Sequence, residues 1–107
     1  MNSLKETQEA IRDAAARHGF ETDIPAMRDF PRVVAENLNF LFTPAVDPTS
    51  DWKSGRVRVN ITASASVSRM GGDPTPDELL RTADEIHRGA ELLRELQNAD
   101  LSYMVKV

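Results

Sequence analysis

The sequence predicts an α+β fold in which two main helices cover one face of a mostly antiparallel mixed sheet, giving a two-layer sandwich. The prediction depends on one long stretch of apolar–polar alternation and on two helical stretches that each begin with a capping motif. A chain of 107 residues is long enough for one domain with a core of this kind. We expect a single domain over residues 1–107, a long central strand near 55–69, and helices near 4–18 and 76–97.

The central strand is the clearest element in the sequence. Apolar residues occupy every second position of residues 56–68, and only polar residues stand between them. A period of two places successive side chains on opposite faces of a strand, so one face should be buried under the helices. The apolar residues are Val57, Val59, Ile61, Ala63, Ala65 and Val67.

Both helices begin at a capping box, in which a Ser or Thr and a Glu three residues later satisfy each other's backbone donors. Ser3 and Glu6 form the first box, and Gly19 supplies the residue that ends the first helix. Thr75 and Glu78 form the second box. The second helix carries an apolar stripe that we expect to lie on the sheet: Leu79, Ala83, Ile86, Ala90, Leu93 and Leu96.

The segment between the first helix and the central strand contains two prolines. Pro25 and Pro31 exclude one continuous helix or one central strand here. Asp29 is a candidate N-cap for a short helix over residues 30–37. Residues 38–46 then alternate in polarity, which predicts a strand.

The remaining segments connect these elements. Turn-forming residues 47–55 should join the 38–46 strand to the central strand as an antiparallel hairpin. Residues 101–107 alternate again and predict a last strand. Because a strand, a helix and a strand follow one another, we expect a right-handed crossover with the last strand parallel to the central one.

Composition and charge exclude several classes of protein. No apolar run is long enough to span a membrane, and the N-terminal residues lack the basic and apolar segments of a signal peptide. The absence of cysteine excludes disulfides, thiol nucleophiles and thiolate metal sites, and is consistent with the cytoplasm. A formal net charge of −4 argues against nonspecific binding of nucleic acid.

The candidates for chemistry all have simpler structural interpretations. Residues 70–72, Met-Gly-Gly, precede a helix start, but the Gly-Lys-Ser/Thr of a phosphate-binding loop is absent. His87 shares a helix face with Asp84 and Glu91, yet no zinc-protease or EF-hand pattern surrounds it or His18. The strand serines lack a nucleophile elbow. We therefore predict no catalytic residue, no cofactor and no metal site.

The polar face of the central strand is the candidate surface for a protein partner. Small hydroxyl side chains let another surface approach at little cost in side-chain entropy, arginine offers a planar fork to carboxylates, and tryptophan buries a large area at one point. The residues of this hypothetical site are Trp52, Arg56, Arg58, Thr62, Ser64 and Ser66. A merely solvated face, common in antiparallel sheets, is an equal alternative.

These features favour a small, acidic, non-enzymatic module that forms a homodimer and acts by occupying a partner protein's surface. Phage or mobile-element inhibitors and secretion chaperones are proteins of this kind, by analogy of size and charge. The alternative is a homodimeric small-molecule-binding or minor enzyme domain that uses the helix–sheet interface, and a third option is a subunit of a larger assembly. The predicted interface is lined by aliphatic residues and lacks the convergent polar groups of a small-molecule site, which favours the first hypothesis.

Overall fold

The computed structural model describes residues 3–24, 29–46, 55–65, 75–99 and 101–104. Within these residues the chain forms two helices and five strands, which confirms the predicted α+β class with a long central strand. In chain order the elements are α1 (Leu4–Arg17), β1 (Glu21–Asp23), β2 (Arg32–Val34), β3 (Leu38–Val46), β4 (Arg56–Ala65), α2 (Pro76–Asn98) and β5 (Ser102–Met104).

The described strands form two antiparallel sheets. β1 pairs with β2 as a hairpin, and the larger sheet has the order β3-β4-β5. β3 and β4 pair along their whole length, with Leu38 opposite Ala65 and Phe42 opposite Ile61. The predicted antiparallel pairing of the 38–46 strand with the central strand is therefore confirmed, whereas predicted strand residues 66–69 and 105–107 and the connection over 47–54 lie outside the described residues.

The prediction of a mixed sheet with a parallel last strand is wrong. β5 runs antiparallel to β4, with Ser102 opposite Arg58. The reason is the position of α2: Gly89 lies over the start of β3, and the chain leaves the helix beside the middle of β4, where the Val59 N–H donates to the Leu101 carbonyl at 2.9 Å. The chain therefore continues in the direction of α2 and pairs with the first residues of β4, Arg56–Arg58.

The capping boxes place both helix starts where the sequence predicts them. The backbone N–H of Glu6 donates to Ser3 Oγ at 3.2 Å, and that of Glu78 donates to Thr75 Oγ1 at 3.2 Å. In both boxes the glutamate side chain accepts in return from the backbone of the capping residue. Gly19 has a φ of 81°, a left-handed conformation that costs other residues energy, and it follows the end of α1.

The predicted short helix over residues 30–37 is replaced by β2, a second correction. Val33 is buried while Arg32 and Val34 are exposed, so the segment has the period of a strand. Arg32 pairs with Asp23 across the hairpin, with Nη2 2.6 Å from Oδ2. Strand pairing with β1, which lies nine residues earlier, satisfies the backbone groups that a helix would otherwise have satisfied locally.

The core lies between the helices and one face of the three-stranded sheet. Phe40 contacts Phe20 edge to face at 6.5 Å between ring centroids, and Tyr103 contacts Phe30 at 6.1 Å. Buried Thr7 donates its hydroxyl hydrogen toward the backbone carbonyl of Ser102, 3.2 Å away, which joins α1 to β5. The buried apolar residues are Ile11, Ala14, Ala15, Phe20, Phe30, Val33, Phe40, Phe42, Val57, Leu92, Leu96, Leu101 and Tyr103.

The predicted apolar stripe of α2 is the third correction. Of its six residues only Leu96 is buried, Ile86 and Leu93 are half-buried, and Leu79 is 46% exposed. The face that meets the sheet is instead Thr82, Gly89, Leu92 and Leu96. Burial on the central strand likewise falls along its length, from buried Val57 through half-buried residues to exposed Ala63 and Ala65.

Contacts to α1 and to β3 set the rotation of α2. A side chain at Gly89 would collide with the Leu38 side chain, so the missing Cβ lets the helix rest on β3. On the adjoining side, Arg88 stacks 4.7 Å from the Phe20 ring centroid and donates to the Gly19 carbonyl at 3.1 Å. Glu95 accepts from Arg17 at 2.8 Å. These contacts turn α2 toward α1 and away from the distal half of β4.

Leu92→Ala tests this rotation against Leu80→Ala on the same helix. Leu92 is fully buried and Leu80 is 68% exposed. We expect Leu92→Ala to lower the free energy of unfolding by about 2–5 kcal/mol, because it leaves a cavity, and Leu80→Ala to change it by less than about 0.5 kcal/mol. Equal losses in chemical denaturation would contradict the observed face.

The alkaline titration of Tyr103 reports on the core. Burial, and secondarily the negative charge of Asp29, raise the pKa of the Tyr103 phenol above its ordinary value. Since the folded pKa exceeds the unfolded one, this group's stabilisation is fully present below the unfolded pKa, about 10, and is lost as pH rises through the folded pKa. Because the chain has one tyrosine, ultraviolet absorbance follows it alone.

We expect a phenolate midpoint above about 10 in the folded protein. Asp29→Asn should lower the midpoint but leave it above the ordinary value, because burial is the larger cause. A midpoint at or below the ordinary value would show that this ring is solvated.

Candidate functional site

The face of the three-stranded sheet that points away from the helices is the candidate site, and we call it the open face. Cross-strand register puts Thr62 opposite Leu41 and Ser64 opposite Asn39, while Arg56 stands opposite Met104. The side chains that build it come from alternate positions of three strands: Asn39, Leu41, Thr43 and Ala45, then Arg56, Arg58, Asn60, Thr62 and Ser64, then Met104 and Ser102, of which Ser102 is only 2% exposed. No helix among the described residues covers this face.

Four of the six predicted site residues lie together on the open face. Arg58, Thr62 and Ser64 are exposed, and Arg56 is half-buried because its side chain lies against Ser102, with Nε 3.4 Å from Oγ. At about 3.3 Å per residue the strip from Arg58 to Ser64 is roughly 20 Å long. The other two predicted residues, Trp52 and Ser66, lie outside the described residues.

Two large apolar side chains interrupt the polar strip. Leu41 is 40% exposed and Met104 is 37% exposed, one on each side of β4. The register of β3 and β5 with β4 places both residues on this face. A leucine and a methionine beside small hydroxyl side chains give a surface with both apolar anchors and hydrogen-bonding groups.

The charge of the sheet differs from that of the chain. β3, β4 and β5 contain Arg56 and Arg58 but no aspartate or glutamate, although the whole chain carries 17 acidic residues and a net charge of −4. The described acidic residues lie on the helices, on β1 and on the connections. The open face is therefore locally basic on an acidic protein. The printed sequence already contains this segregation, which becomes evident once the three strands are known to share one sheet.

The two histidines lie in different surroundings. His18 Nε2 lies 3.6 Å from Glu95 Oε1 at the end of α1, beside the bidentate contact of Arg17 with the same carboxylate. The hydrogen bond from Arg17 holds the pKa of the Glu95 carboxyl below its usual range. His87 is exposed on α2. Among the described residues, no cluster of histidine and acidic side chains could hold a metal ion.

The acidic neighbours of His87 on α2 have arginine partners. Asp84 pairs with Arg88 at 3.0 Å, and Glu91 pairs with Arg94 at 3.3 Å. These are exposed helix pairs of the kind that contribute a few tenths of a kcal/mol, about 0.2–0.5 each. Their carboxylates are therefore engaged on the helix surface.

Two clefts in the described part of the chain lie along the outside of the helices. One of 640 Å³ follows α1 and is lined by residues that include Glu9, Arg12 and Phe20. A second, of 270 Å³, lies between α1 and α2 near Arg17. A third, of 250 Å³, lies between the end of α2 and β4, and its lining includes Arg58 and Asn60. Core side chains occupy the space where both helices meet the sheet.

No helix in the described part of the chain has the length and apolar character needed to cross a membrane. No protein-family model, no curated protein and no solved structure shows a significant match to the chain. Inference about function therefore starts from the open face and its surroundings.

Adjacent residues of β3 test whether the fold needs the apolar side chains of the open face. Phe40 points into the core and is 4% exposed, whereas its neighbour Leu41 points to the open face. We expect Phe40→Ala to cost about 3–5 kcal/mol in denaturant unfolding and Leu41→Ala to cost less than about 0.5 kcal/mol. A large loss for Leu41→Ala would mean that something in the monomer covers this face.

Proposed function

We propose that the protein is a non-enzymatic interaction module whose open face occupies an acidic patch on a partner protein. The observation that carries the proposal is a sheet face with exposed Leu41 and Met104, two arginines, and no acidic residue on its strands. Aromatic, methionine and arginine side chains are enriched in protein interfaces, and acidic residues are depleted. The open face follows that composition against the acidic background of the chain.

The geometry of the open face suits a broad protein surface. Thr62 and Ser64 are short and lie beside and beyond Leu41, so a partner can approach the sheet closely at that end of the strip. Arg58 stands at one end of the strip with its charge exposed, where its planar fork can bind a carboxylate with two hydrogen bonds. Apolar contact would supply affinity, and the arginines would supply orientation and salt dependence.

We also propose how the module acts, in which oligomeric state and in which compartment. We infer an inhibitor-type mode, in which the module blocks whatever surface it covers, and a homodimer as the working species. A cysteine-free chain suits the reducing cytoplasm, where we expect it to act. The alternative of a small-molecule site at the helix–sheet interface is less favoured, because core side chains occupy the part of that interface where both helices meet the sheet, and the 250 Å³ cleft between the end of α2 and β4 is open.

Charge reversal at matched positions tests the open face. Arg58→Glu reverses a charge on this face, and Arg12→Glu makes the same change on the exposed surface of α1. We expect the unaltered protein and Arg12→Glu to capture the same partner from the native host, identified by mass spectrometry. Arg58→Glu and Thr62→Arg should lose it while melting at the parent temperature.

The captured partner would then be purified for titration calorimetry. Arg58→Glu should weaken binding at least about tenfold, and the affinity of the parent should fall with added salt. If both open-face variants stay folded and bind the partner like the parent, the open face is solvated and the proposal is wrong.

A further inference from the structure

Among the described residues, no segment pairs with one edge of β4 over its distal half. Val59 donates its backbone N–H to Leu101 on the side where β5 lies, so odd-numbered residues of β4 turn their backbone groups toward that side. Beyond this point no described segment pairs with the edge. Ile61, Ala63 and Ala65 therefore present their N–H and C=O groups outward, while even-numbered residues bond to β3.

A flank of α2 lies above the same edge. With about 100° between successive residues, the predicted apolar stripe from Leu79 to Leu93 faces away from Arg88 and Glu95, which contact α1. Gln97 continues the stripe by one turn, and it lines an open cleft of 250 Å³ together with Asn60 and Ile61 of β4. The uncovered stripe of α2 and the unpaired edge of β4 thus form one surface, which we call the open flank.

The open flank has the composition of a core and not of a surface. Helical spacing on α2 and alternation on β4 both predict burial, yet Leu79, Ala83, Ala90, Ala63 and Ala65 are exposed. Neither residues 60–65 nor the stripe contains a charged side chain, although 28% of the chain is charged. Proteins usually protect a strand edge with lysine, proline or a bulge, and the sequence of 60–65 contains neither lysine nor proline.

We propose that a second copy of the chain docks on the open flank, with β4 pairing antiparallel to its copy about a two-fold axis near Ala63. This deepens the homodimer of the proposed function and rests on it. Identical antiparallel edges are self-complementary, because each copy offers a donor and an acceptor at every second residue. Ile61 then faces Ala65 of the other copy, and small alanines meet at the axis without a steric or charge conflict.

The resulting dimer has one continuous six-stranded sheet, which buries the uncovered half of each core. The two α2 stripes face each other above the new strand pair, where Leu79, Ala83 and Ala90 leave water. The open faces of both copies remain uncovered on the other side of the sheet. Self-association and partner binding therefore use opposite sides of β4.

Solution mass with matched lysine variants tests the open flank. The monomer mass is 11.9 kDa, and sedimentation equilibrium of the parent should give twice that value. Ala63→Lys places like charges together at the axis, so we expect the dimer to dissociate roughly a hundredfold more readily. Thr62→Lys changes the neighbouring residue on the open face and should leave the dimer intact. Both positions are exposed, so both variants should fold.

A single cysteine tests the register in a chain that has none of its own. Antiparallel pairing at the axis brings the two Cα atoms of residue 63 to about 5.5 Å, within disulfide range. Ala63→Cys should oxidise to a covalent dimer in high yield, and Ser64→Cys should not, because the proposed register places residue 64 opposite Thr62 of the other copy and not opposite itself.

A parent that stays at 11.9 kDa at high concentration would overturn this inference together with the homodimer, leaving the partner-binding experiment to judge the open face. A dimer that survives Ala63→Lys but dissociates with Thr62→Lys would also overturn it, and would assign self-association to the open face. A dimer that is lost with Ala63→Lys and becomes covalently linked with Ala63→Cys supports pairing through the open flank. This conclusion holds whether or not Arg58→Glu weakens binding to the partner protein.

Discussion

The contact of Gly89 with β3 is the constraint on which the arrangement of the described chain depends. Because no side chain stands at this position, α2 rests on Leu38 and Phe40, and Arg88 and Glu95 then reach α1. With the helix held there, its opposite flank cannot cover the distal half of β4. The same placement brings the chain out beside Val59, which makes β5 antiparallel. The position of α2 on β3 at Gly89 is therefore linked to the helix rotation, the sheet topology and the exposure of a strand edge.

Features that depend on neighbouring residues could be predicted from the sequence. The capping boxes at Ser3 and Thr75 use side chains three residues apart, and the alternation of β4 needs no information from the rest of the fold. The errors all involve distant partners. Residues 30–37 have a candidate cap, yet pairing with β1 determines the structure of this segment. The packing of α2 at Gly89 depends on Leu38, which lies about fifty residues earlier in the chain.

The candidate site divides in the same way. Period two alone places Arg58, Thr62 and Ser64 on one face, so this part of the site could be predicted. The depletion of acidic residues appears only when β3 and β5 are known to be the neighbours of β4. The open flank could not be predicted, because the sequence patterns of α2 and β4 both indicate burial. Such patterns show which face of a helix or strand is apolar. They do not show whether the surface that covers this face comes from the same chain.

The geometry of a strand gives β4 two separable surfaces. Even-numbered residues direct their backbone groups to β3 and their side chains to the open face. Odd-numbered residues direct their side chains to the helix layer and their backbone groups to the opposite edge, where Val59 bonds to Leu101 and no described segment pairs with the residues beyond it. Adjacent residues such as Thr62 and Ala63 therefore belong to different surfaces although their Cα atoms are only about 3.8 Å apart. A change at one position would therefore alter a contact on the face without altering pairing at the edge, so the proposed partner binding and the proposed dimer can be tested independently within one ten-residue strand.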